Sequence, residues 1–485
     1  MRTPGPRTEL SHHQLSRIAE LSRKLISEPP EPISLEEYRQ RRQALMGVLP
    51  SPGVVVVRGA HPVIRSRDSE YPFRQNSDLH YLCGFPEPEA LLVLLPEPSG
   101  QHDADRKDAT ALSVLFCQGR DIALERWMGP RLGASGARKL FGIDHAIENR
   151  EREAALDHLL TGQERVYCMA GDKDLVTELE ASRERLASVG KAPPQFHDLT
   201  SYLATQRMLK SPAEIALLEH AAKISALGHL RAMACIGPGL KEYQLQAEIE
   251  HIFRWHGASA PAYESIVAGG ANACVLHYIE NDDVVQDGDL VLVDAGAEFA
   301  LYAGDISRTF PASGRFSKPQ RALYDLVLHA QSRAIEAVRP GVSLEDIHRG
   351  VVRDLTSGLI RQGVLEGPLD ARLADHSIAP YYPHATSHWL GLDVHDAGAY
   401  RENDGRSRLL EPGMVLTIEP GLYIHEQNIS KDTDVMVLRE VFLGGQCGVG
   451  VRIEDDVVVT ADGGRVITSD APKQVDDIEA WMNTD

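Results

Sequence analysis

The sequence lacks several features that would assign it to a specialised class of protein. It contains no run of about 18 apolar residues, so we expect no membrane-spanning helix. None of its six cysteines forms a Cys-x-x-Cys pair, which gives no support for a disulfide framework or a thiolate zinc site. The first residues, MRTPGPRTELSHHQ, show no apolar segment typical of a secretory signal. We therefore expect a cytoplasmic protein.

Positive charge is scarce relative to negative charge. The chain has 50 Lys and Arg residues against 70 Asp and Glu residues, a formal net charge of -20 at pH 7. This excess of acid disfavours binding to a nucleic-acid backbone as a main function. The length of 485 residues suits two or three domains, and a hydrophobic content of 43% is enough to build a large core.

Helical and strand patterns alternate through the first 200 residues. Residues 9–26 space their apolar side chains at helical intervals before SEPPEP, so residues 1–32 are interpreted as an N-terminal helical arm. Residues 33–205 are predicted to form an α/β domain. Its expected strands are GVVVVRG, EALLVLLPE, LSVLFCQG and RVYCMAG.

A strong helix start marks the second half of the chain. Ser211 is a good N-cap, Pro212 suits the first helical position, and Glu214 completes a capping box. We therefore predict a second domain over residues 206–485, which gives an α/β (α+β) chain overall. Its expected strands are DLVLVDAG, MVLTIEPGLYI and RIEDDVVVT.

Two acids lie close to the end of the first of these strands. Asp294 ends the apolar run 290–293, and Asp305 follows eleven residues later. A hairpin would bring both carboxylates to one place. Burying a carboxylate costs several kcal/mol, roughly, unless it is paired or bound to a metal. The alternative is a pair of ordinary turn carboxylates.

Two more acids interrupt later strands. Glu419 is predicted at the end of one strand and Glu454 inside another, where alternation places Arg452 on the same face. Each could be a surface charge or a member of an ion pair. However, four separate strands each carry an acid where an apolar residue is expected, which favours a common site.

The stretch ATSHWLGLDVHD adds histidines to this set. His388 and His395 lie seven residues apart, and the alternative for either is a satisfied core histidine. Four carboxylates and one imidazole, without a thiolate, suit Mn(II), Co(II) or Zn(II). Five ligands exceed the needs of one catalytic zinc and suit two metals about 3.5–4 Å apart, which lower the pKa of a bridging water.

These acids and histidine resemble the ligand set of the pita-bread metallopeptidases, which include methionine aminopeptidase, prolidase, aminopeptidase P and creatinase. The flanks VDAG, AGDISRTFP, SHWLGLDVHD, TIEPGLYI and RIEDD all agree with that family. The stretch YPFRQNSDLHYLCGFPEPEALLVLLPE also resembles the aminopeptidase P group. The resemblance implies a creatinase-like N-terminal α/β domain and a C-terminal pita-bread catalytic domain.

The resemblance implies a role for each ligand. Asp294 would chelate one metal, and Asp305 and Glu454 would bridge both. His388 and Glu419 would complete the coordination, with Glu419 also the expected proton acceptor.

The resemblance also implies substrate contacts. His277 would lie near the scissile bond, His395 would steady the tetrahedral intermediate, and His384 would lie beside the proline. Tyr423 and Arg452 match pocket positions. A core position is the alternative for His277 and His384, and a simple ion pair is the alternative for Arg452.

Three departures from the family pattern bear on specificity. Ala385 and Thr386 stand where the family often has glycine followed by leucine or isoleucine. Leu79 and His80 stand where the aminopeptidase P group has Phe-Trp. The stretch 424–450 is longer than expected and could rim the pocket.

The implied activity is hydrolysis of an Xaa-Pro bond, which releases the first residue of peptides with proline second. The expected cofactors are two divalent metals, Mn(II) first and Co(II) or Zn(II) as alternatives. We expect a homodimer or homotetramer, with no nucleic-acid or membrane partner. Alternative functions are a prolidase restricted to dipeptides, a creatinase-type amidinohydrolase without metals, or a non-catalytic binding module.

Overall fold

The computed structural model describes residues 12–26, 28–96, 111–193, 195–425 and 448–483. They divide into an N-terminal unit, Pro32–Arg207, and a C-terminal unit that joins the described residues before 32 to those from 208 onward. The domain boundaries predicted from sequence, 1–32, 33–205 and 206–485, stay a prediction. No helix in the described ranges is both long and apolar enough to cross a membrane.

Helices occur in both units of the described chain. They are α1 (His12–Leu25), α2 (Leu35–Val48), α3 (Ser77–Cys83), α4 (Ile122–Met128), α5 (Gly133–Phe141), α6 (Arg152–Leu160), α7 (Lys173–Ala187), α8 (Thr200–Met208), α9 (Pro212–Cys235), α10 (Glu242–Trp255), α11 (Lys318–Ala337), α12 (Leu344–Arg361), α13 (Leu369–Ala374) and α14 (Val475–Met482). Short 3-10 helices occupy Asn149–Glu151 and Gly270–Cys274.

The strands are mostly short. They are β1 (Val54–Arg58), β2 (Ile64–Ser66), β3 (Ser69–Glu70), β4 (Leu91–Pro96), β5 (Ala111–Cys117), β6 (His145–Glu148), β7 (Val166–Cys168), β8 (Phe196–Asp198), β9 (Ala260–Pro261), β10 (Ile266–Gly269), β11 (Leu290–Asp294), β12 (Ala297–Phe299), β13 (Tyr302–Ala303), β14 (Ser307–Pro311), β15 (Val415–Ile418), β16 (Gly421–His425), β17 (Gly448–Arg452), β18 (Asp455–Val459) and β19 (Gly464–Val466).

The N-terminal unit is built on a mixed sheet. Its strand order is β6-β5-β4-β1-β7-β8, in which β4 runs antiparallel to β1 and β5 and the remaining pairs are parallel. The four strands predicted from sequence in this half are β1, β4, β5 and β7, and the prediction is confirmed. Their valine and leucine side chains are buried against α6 and α7, as expected for strands covered by helices.

Helix α1 belongs to the core of the C-terminal unit. Ile18 is buried in the same apolar cluster as Leu227 of α9 and Trp481 of α14. The guanidinium of Arg17 lies 4.3 Å from the centre of the Trp481 ring, a cation–π contact. The described part of the predicted arm therefore packs on this unit.

Helix α9 begins as the sequence predicts. Ser211 Oγ accepts a hydrogen bond from the backbone of Glu214, whose carboxylate accepts from the Ser211 backbone, and Pro212 occupies the first turn. The helix is buried on nearly every side because helices α1, α10 and α14 and strands β12 and β13 pack around it.

Two predicted strands are broken, and an acid lies at each break. MVLTIEPGLYI forms β15 and β16, which separate at Glu419 and Pro420. RIEDDVVVT falls into the end of β17 and β18, which separate at Ile453 and Glu454. The placement of Glu454 inside a strand is therefore wrong. At each break the backbone leaves the regular hydrogen bonding of the sheet. The side chains of Glu419 and Glu454 can therefore face one common region.

Candidate active site

A cavity of about 860 Å³ opens in the C-terminal unit. Its lining includes every site residue predicted from sequence except Tyr423, which lies behind the wall. The strand ends and strand breaks described above converge on this cavity, so the acids share one space even though they are distant in sequence.

The first two acids are joined by a tyrosine. Strand β11 pairs antiparallel with β14, and Asp294 stands opposite Ser307 in this ladder. The hydroxyl of Tyr263 lies 2.6 Å from Oδ1 of Asp294 and 2.6 Å from Oδ1 of Asp305. The two carboxylates therefore face one point, as the predicted hairpin requires.

His388 reaches the acids from the opposite segment. Its Nε2 lies 3.4 Å from Asp305 Oδ2, 3.7 Å from Glu419 Oε1 and 4.0 Å from Glu454 Oε1. Its Nδ1 lies 3.0 Å from the carbonyl oxygen of Trp389, so Nδ1 carries a proton and Nε2 is the nitrogen that a metal would bind in place of a second proton. Ligand atoms of Asp305, His388 and Glu454 all lie within 4.8 Å of one another.

Arg452 lies behind the acids and is fully engaged. Its Nη2 donates to Asp294 Oδ2 at 2.6 Å, its Nη1 to the Tyr423 hydroxyl at 2.9 Å, and its Nε to Ser307 Oγ at 2.9 Å. Ser307 in turn donates to Glu454 Oε2 at 2.8 Å. Arg452 and Glu454 therefore share the contact with Ser307, and the arginine orients the acids from the protein side.

The three other histidines predicted from sequence also border the cavity. The ring of His395 meets that of His388 edge to face, with centroids 4.4 Å apart. His384 Nε2 lies 2.8 Å from the Tyr423 hydroxyl, and its Nδ1 lies 3.7 Å from Glu419 Oε2. His277 is exposed to the cavity, so the alternative of a core position is wrong for it.

Burial dominates the electrostatics of the site. It raises the pKa of Asp294, against the opposing charge of Arg452. It also raises the pKa of Glu454 far above its usual value, with help from neighbouring acids, and the pKa of Glu419 to about 7. Burial opposes the charged form of His388, but the hydrogen bond and charge of Asp305 outweigh it and raise its pKa to about 9.

The donor set fits divalent cations. Close carboxylates in a dry site hold protons unless a cation neutralises them, and the raised pKa values show that these carboxylates lack enough countercharge from the protein. Four carboxylates balance two divalent charges. Oxygen donors with one imidazole and no thiolate suit Mn(II), Co(II) or Zn(II). A single catalytic zinc would use fewer ligands.

The departures at Ala385 and Thr386 are accommodated. Ala385 is not among the described residues with a positive φ, so the alanine imposes no strain there. The Thr386 hydroxyl lies 2.8 Å from His348 Nδ1 and 2.7 Å from the Tyr382 hydroxyl, inside the wall. The threonine therefore ties the histidine segment to α12.

The other two departures concern His80 and the stretch 424–450. His80 lies on α3 of the N-terminal unit, 6.4 Å from the Tyr38 ring between centroids, and burial lowers its pKa to about 4. Most of the longer stretch 424–450 lies outside the described residues, which resume at Gly448.

Sequence reasoning missed Tyr263 and Ser307. Neither has a distinctive spacing, because a tyrosine before a strand and a serine within one are ordinary. Their contacts with the acids depend on packing between segments that are far apart in the chain.

Comparison with known proteins connects this geometry to a family. The family model of metallopeptidase family M24 matches residues 216–461, and that of the aminopeptidase P N-terminal domain matches residues 38–167. The chain belongs to metallopeptidase family M24. The family model covers all five predicted ligands, which confirms the resemblance drawn from the sequence.

Curated relatives of this M24 metallopeptidase extend over most of its length. The Xaa-Pro aminopeptidase of Escherichia coli strain K12 is 43% identical over 93% of this chain and 98% of its own. Xaa-Pro aminopeptidase 3 of Homo sapiens is 34% identical over 92% of this chain and 86% of its own.

Solved structures agree with the fold. The aminopeptidase PepP of Pseudomonas aeruginosa superposes with a TM-score of 0.84 at 43% identity, covering 93% of this chain and 98% of its own. Zinc-substituted aminopeptidase P of E. coli in complex with product gives 0.85 at 42% identity, covering 93% and 99%. The predicted fold class, an N-terminal creatinase-like domain followed by a pita-bread domain, is confirmed.

Proposed function

We propose that this M24 metallopeptidase is an Xaa-Pro aminopeptidase. It hydrolyses the bond before a proline at position two and releases the first residue of the peptide. The observation that carries the proposal is the convergence of Asp305, His388 and Glu454 within 4.8 Å of one another in a cavity of peptide size. Its 43% identity with the E. coli Xaa-Pro aminopeptidase supports the choice of substrate.

The proposed cofactor is a pair of divalent metals, with Mn(II) as the first choice. Asp294, Asp305, His388, Glu419 and Glu454 would hold them. When bound, the two ions supply Lewis acidity and lower the pKa of a shared water. Arg452 and Tyr263 contact the carboxylates of this set and would fix their orientation.

The side chains of the cavity supply the remaining chemistry. Glu419 accepts the proton of the attacking water and delivers it to the proline nitrogen as the carbon–nitrogen bond breaks. His395, beside His388, donates to the oxygen that develops negative charge. His277 borders the scissile bond.

The proline side of the cavity is assigned to His384. It is held by the Tyr423 hydroxyl, which also accepts from Arg452. Burial lowers the pKa of His384 to about 4, so the ring is neutral at physiological pH and does not repel the metal charges. We further propose a cytoplasmic homodimer or homotetramer.

A peptide assay tests the proposal. The Mn(II)-loaded chain is mixed with an Xaa-Pro-Yaa tripeptide, an Xaa-Pro dipeptide and an Xaa-Ala-Yaa tripeptide, with and without a chelator. We expect chelator-sensitive release of the first residue from the proline tripeptide only, or from both proline peptides with the tripeptide preferred. Cleavage of the dipeptide alone would indicate a prolidase, and no cleavage with metal bound would overturn the peptidase assignment.

A single substitution separates enzyme from binding module. Asp305→Asn keeps the shape of the side chain and removes its charge, so we expect it to lose metal and hydrolysis together. Metal content by atomic emission provides a readout independent of activity. Asp325→Asn, on an exposed part of α11, serves as the matched control.

A further inference from the structure

One histidine on the cavity wall belongs neither to the proposed metal set nor to the proposed chemistry. His348 of α12 is half-buried and lines the cavity. Its Nδ1 lies 2.8 Å from the Thr386 hydroxyl. In the described parts of the chain, no hydrogen bond or ion pair involves its Nε2. That nitrogen is also not among the buried polar atoms without a partner, so it is accessible to solvent.

A short chain of hydrogen bonds determines which nitrogen of His348 carries the hydrogen. The buried Tyr382 hydroxyl lies 2.7 Å from the Thr386 hydroxyl, its one hydrogen-bond partner among the described residues. A buried phenol donates its hydrogen where an acceptor is present, so Tyr382 donates to Thr386. Thr386 is buried as well, and the acceptor left for its own hydrogen is Nδ1 of His348. The hydrogen of the neutral ring is therefore on Nε2.

The charges around His348 leave the ring neutral at pH 7. Burial lowers its pKa, and Glu345, one turn earlier on α12, acts in the opposite sense. The Glu345 carboxylate is already paired, with Arg349 at 3.2 Å and Arg401 at 3.0 Å. His348 thus offers one uncharged N–H group to a ligand in the cavity. A carbonyl oxygen is an acceptor that matches this group.

Contacts between rings place His348 next to the proline side of the cavity. The centroid of the Tyr382 ring lies 5.8 Å from that of His348 and 4.9 Å from that of His384. His384 in turn lies 3.7 Å from Glu419 of the acid cluster. The three rings therefore follow one another along one wall. With the proline of the substrate beside His384, the backbone that follows the proline reaches His348.

We propose that His348 is a substrate-binding residue, whose Nε2 donates a hydrogen bond to the carbonyl oxygen of the substrate's proline. The proposal rests on the proposed function and adds a contact on the leaving-group side of the scissile bond. Thr386 stands where the family often has leucine or isoleucine, which cannot donate to Nδ1. This departure from the family pattern therefore supplies the group that fixes the donor.

A sulfur substitution in the peptide tests the proposal. Ala-Pro-Ala amide is compared with the same peptide carrying sulfur in place of the proline carbonyl oxygen, because sulfur is a weak acceptor. His348→Phe keeps a ring and removes both nitrogens. We expect the ratio of kcat/KM, oxygen peptide over sulfur peptide, to be about fivefold larger in the wild type than in His348→Phe, the scale of one neutral hydrogen bond. The change should appear in KM, since the bond forms when the substrate binds.

The ratio separates substrate binding from a structural role. Both peptides meet the same protein, so a variant that loses folded protein or metal loses activity on both and keeps its ratio. His329→Phe, at an exposed position of α11 outside the cavity lining, is the matched control and should keep the wild-type ratio. Thr386→Val removes the hydroxyl that fixes the ring and should lower the ratio. A wild-type ratio in Thr386→Val would overturn the part assigned to the threonine.

The outcomes distinguish this proposal from the proposed function. Equal ratios in the wild type and His348→Phe overturn the role of His348 and leave the aminopeptidase intact. If the metal-loaded chain cleaves neither peptide, the proposed reaction fails, and calorimetry with Pro-Ala amide and its sulfur analogue tests His348 without hydrolysis. Tighter binding of the oxygen compound by the wild type, but not by His348→Phe, would support the contact alone. Absence of that difference would overturn both proposals.

Discussion

Lys210 Nζ lies 2.8 Å from Asp396 Oδ2, and each side chain is 1% exposed. Asp396 follows His395 directly, and its backbone N–H donates to the carbonyl of Trp389 at 2.9 Å. The ion pair therefore closes the loop that carries both His388 and His395. A Cβ at Gly391 would collide with the Asp396 carboxylate, so glycine is required at that position for close approach.

We expect Lys210→Met to destabilise the C-terminal unit strongly. The substitution keeps the length of the side chain but leaves the Asp396 carboxylate buried without its cation, which costs about 3–5 kcal/mol in the free energy of unfolding. Urea denaturation measures the change. Arg321→Met, in an exposed pair 3.1 Å from Asp476, is the control and should cost less than about 1 kcal/mol. Equal costs at the two positions would contradict the prediction.

Removing the metals should lower the melting temperature. Asp294, Asp305, Glu419 and Glu454 repel one another in a buried site, and ions that bind only the folded chain stabilise it by mass action. We expect a chelator to lower the melting temperature of the wild type and Mn(II) to restore it. The melting temperature of Asp305→Asn should hardly respond to either. A wild type indifferent to metal would refute this expectation.

Tyr263→Phe should weaken metal binding although it leaves every proposed metal-ligating side chain in place. The hydroxyl orients Asp294 and Asp305 through two contacts of 2.6 Å, and loss of such an orienting group typically costs 10–100-fold, roughly, in metal affinity. Competition with a fluorescent chelator measures the affinity. Tyr243→Phe, at an exposed position on α10, is the control. An unchanged metal affinity in Tyr263→Phe would show that the hydroxyl plays no orienting part.

The sequence predicts features that depend on local rules. The capping box at Ser211 and Glu214 is local, and so are the apolar runs of β1 and β11. The proposed ligand set could be suggested because its acids stand beside or within apolar runs of the sequence, where an apolar residue is expected. The strand break at Glu454 was missed because hydropathy alone does not distinguish one strand from two that meet at an acid.

Contacts between distant segments could not be predicted in this way. Lys210 and Asp396 are separated by 186 residues, and neither stands out in its own segment. Tyr263 gains its role from the packing of the segment before β10 against the ends of β11 and β14. Contacts of this kind depend on the three-dimensional packing of distant segments, which the local pattern of amino acids does not predict.

Glu242 should control the segment that carries His277. It is fully buried at the start of α10, and its carboxylate accepts four hydrogen bonds. The donors are the backbone of residues 269 and 283 and the side chains of residues 272 and 278. Glu242→Gln turns one acceptor into a donor that faces another donor, which costs about 1–3 kcal/mol in the free energy of unfolding.

The activity of the same variant tests whether the hydrogen bonds of Glu242 act through His277. We expect Glu242→Gln alone to lower kcat/KM. Added to His277→Ala, the same substitution should lower kcat/KM little further. Glu248→Gln, a partly exposed acid on the same helix, is the control. Additive losses in the double variant would mean that Glu242 has a structural role alone.

His229 should make stability depend on pH. It is fully buried on α9, its Nε2 donates to the carbonyl of Ala295 at 3.0 Å, and burial lowers its pKa to about 3. In the unfolded chain a histidine titrates near 6.5, roughly, so the unfolded state takes up a proton first as the pH falls. The stability that depends on neutral His229 is present at pH 7 and lost as the pH falls from about 6.5 towards 3.

The size of this loss can be isolated by substitution. His229→Gln keeps a donor near the position of Nε2 and does not titrate. Between pH 7 and pH 5 the wild type should lose about 2 kcal/mol more of its free energy of unfolding than the variant does. Urea denaturation of both proteins at the two pH values, with metal at saturation, measures the difference. Parallel losses would mean that His229 is protonated as easily in the folded chain as in the unfolded one, and they would contradict the prediction.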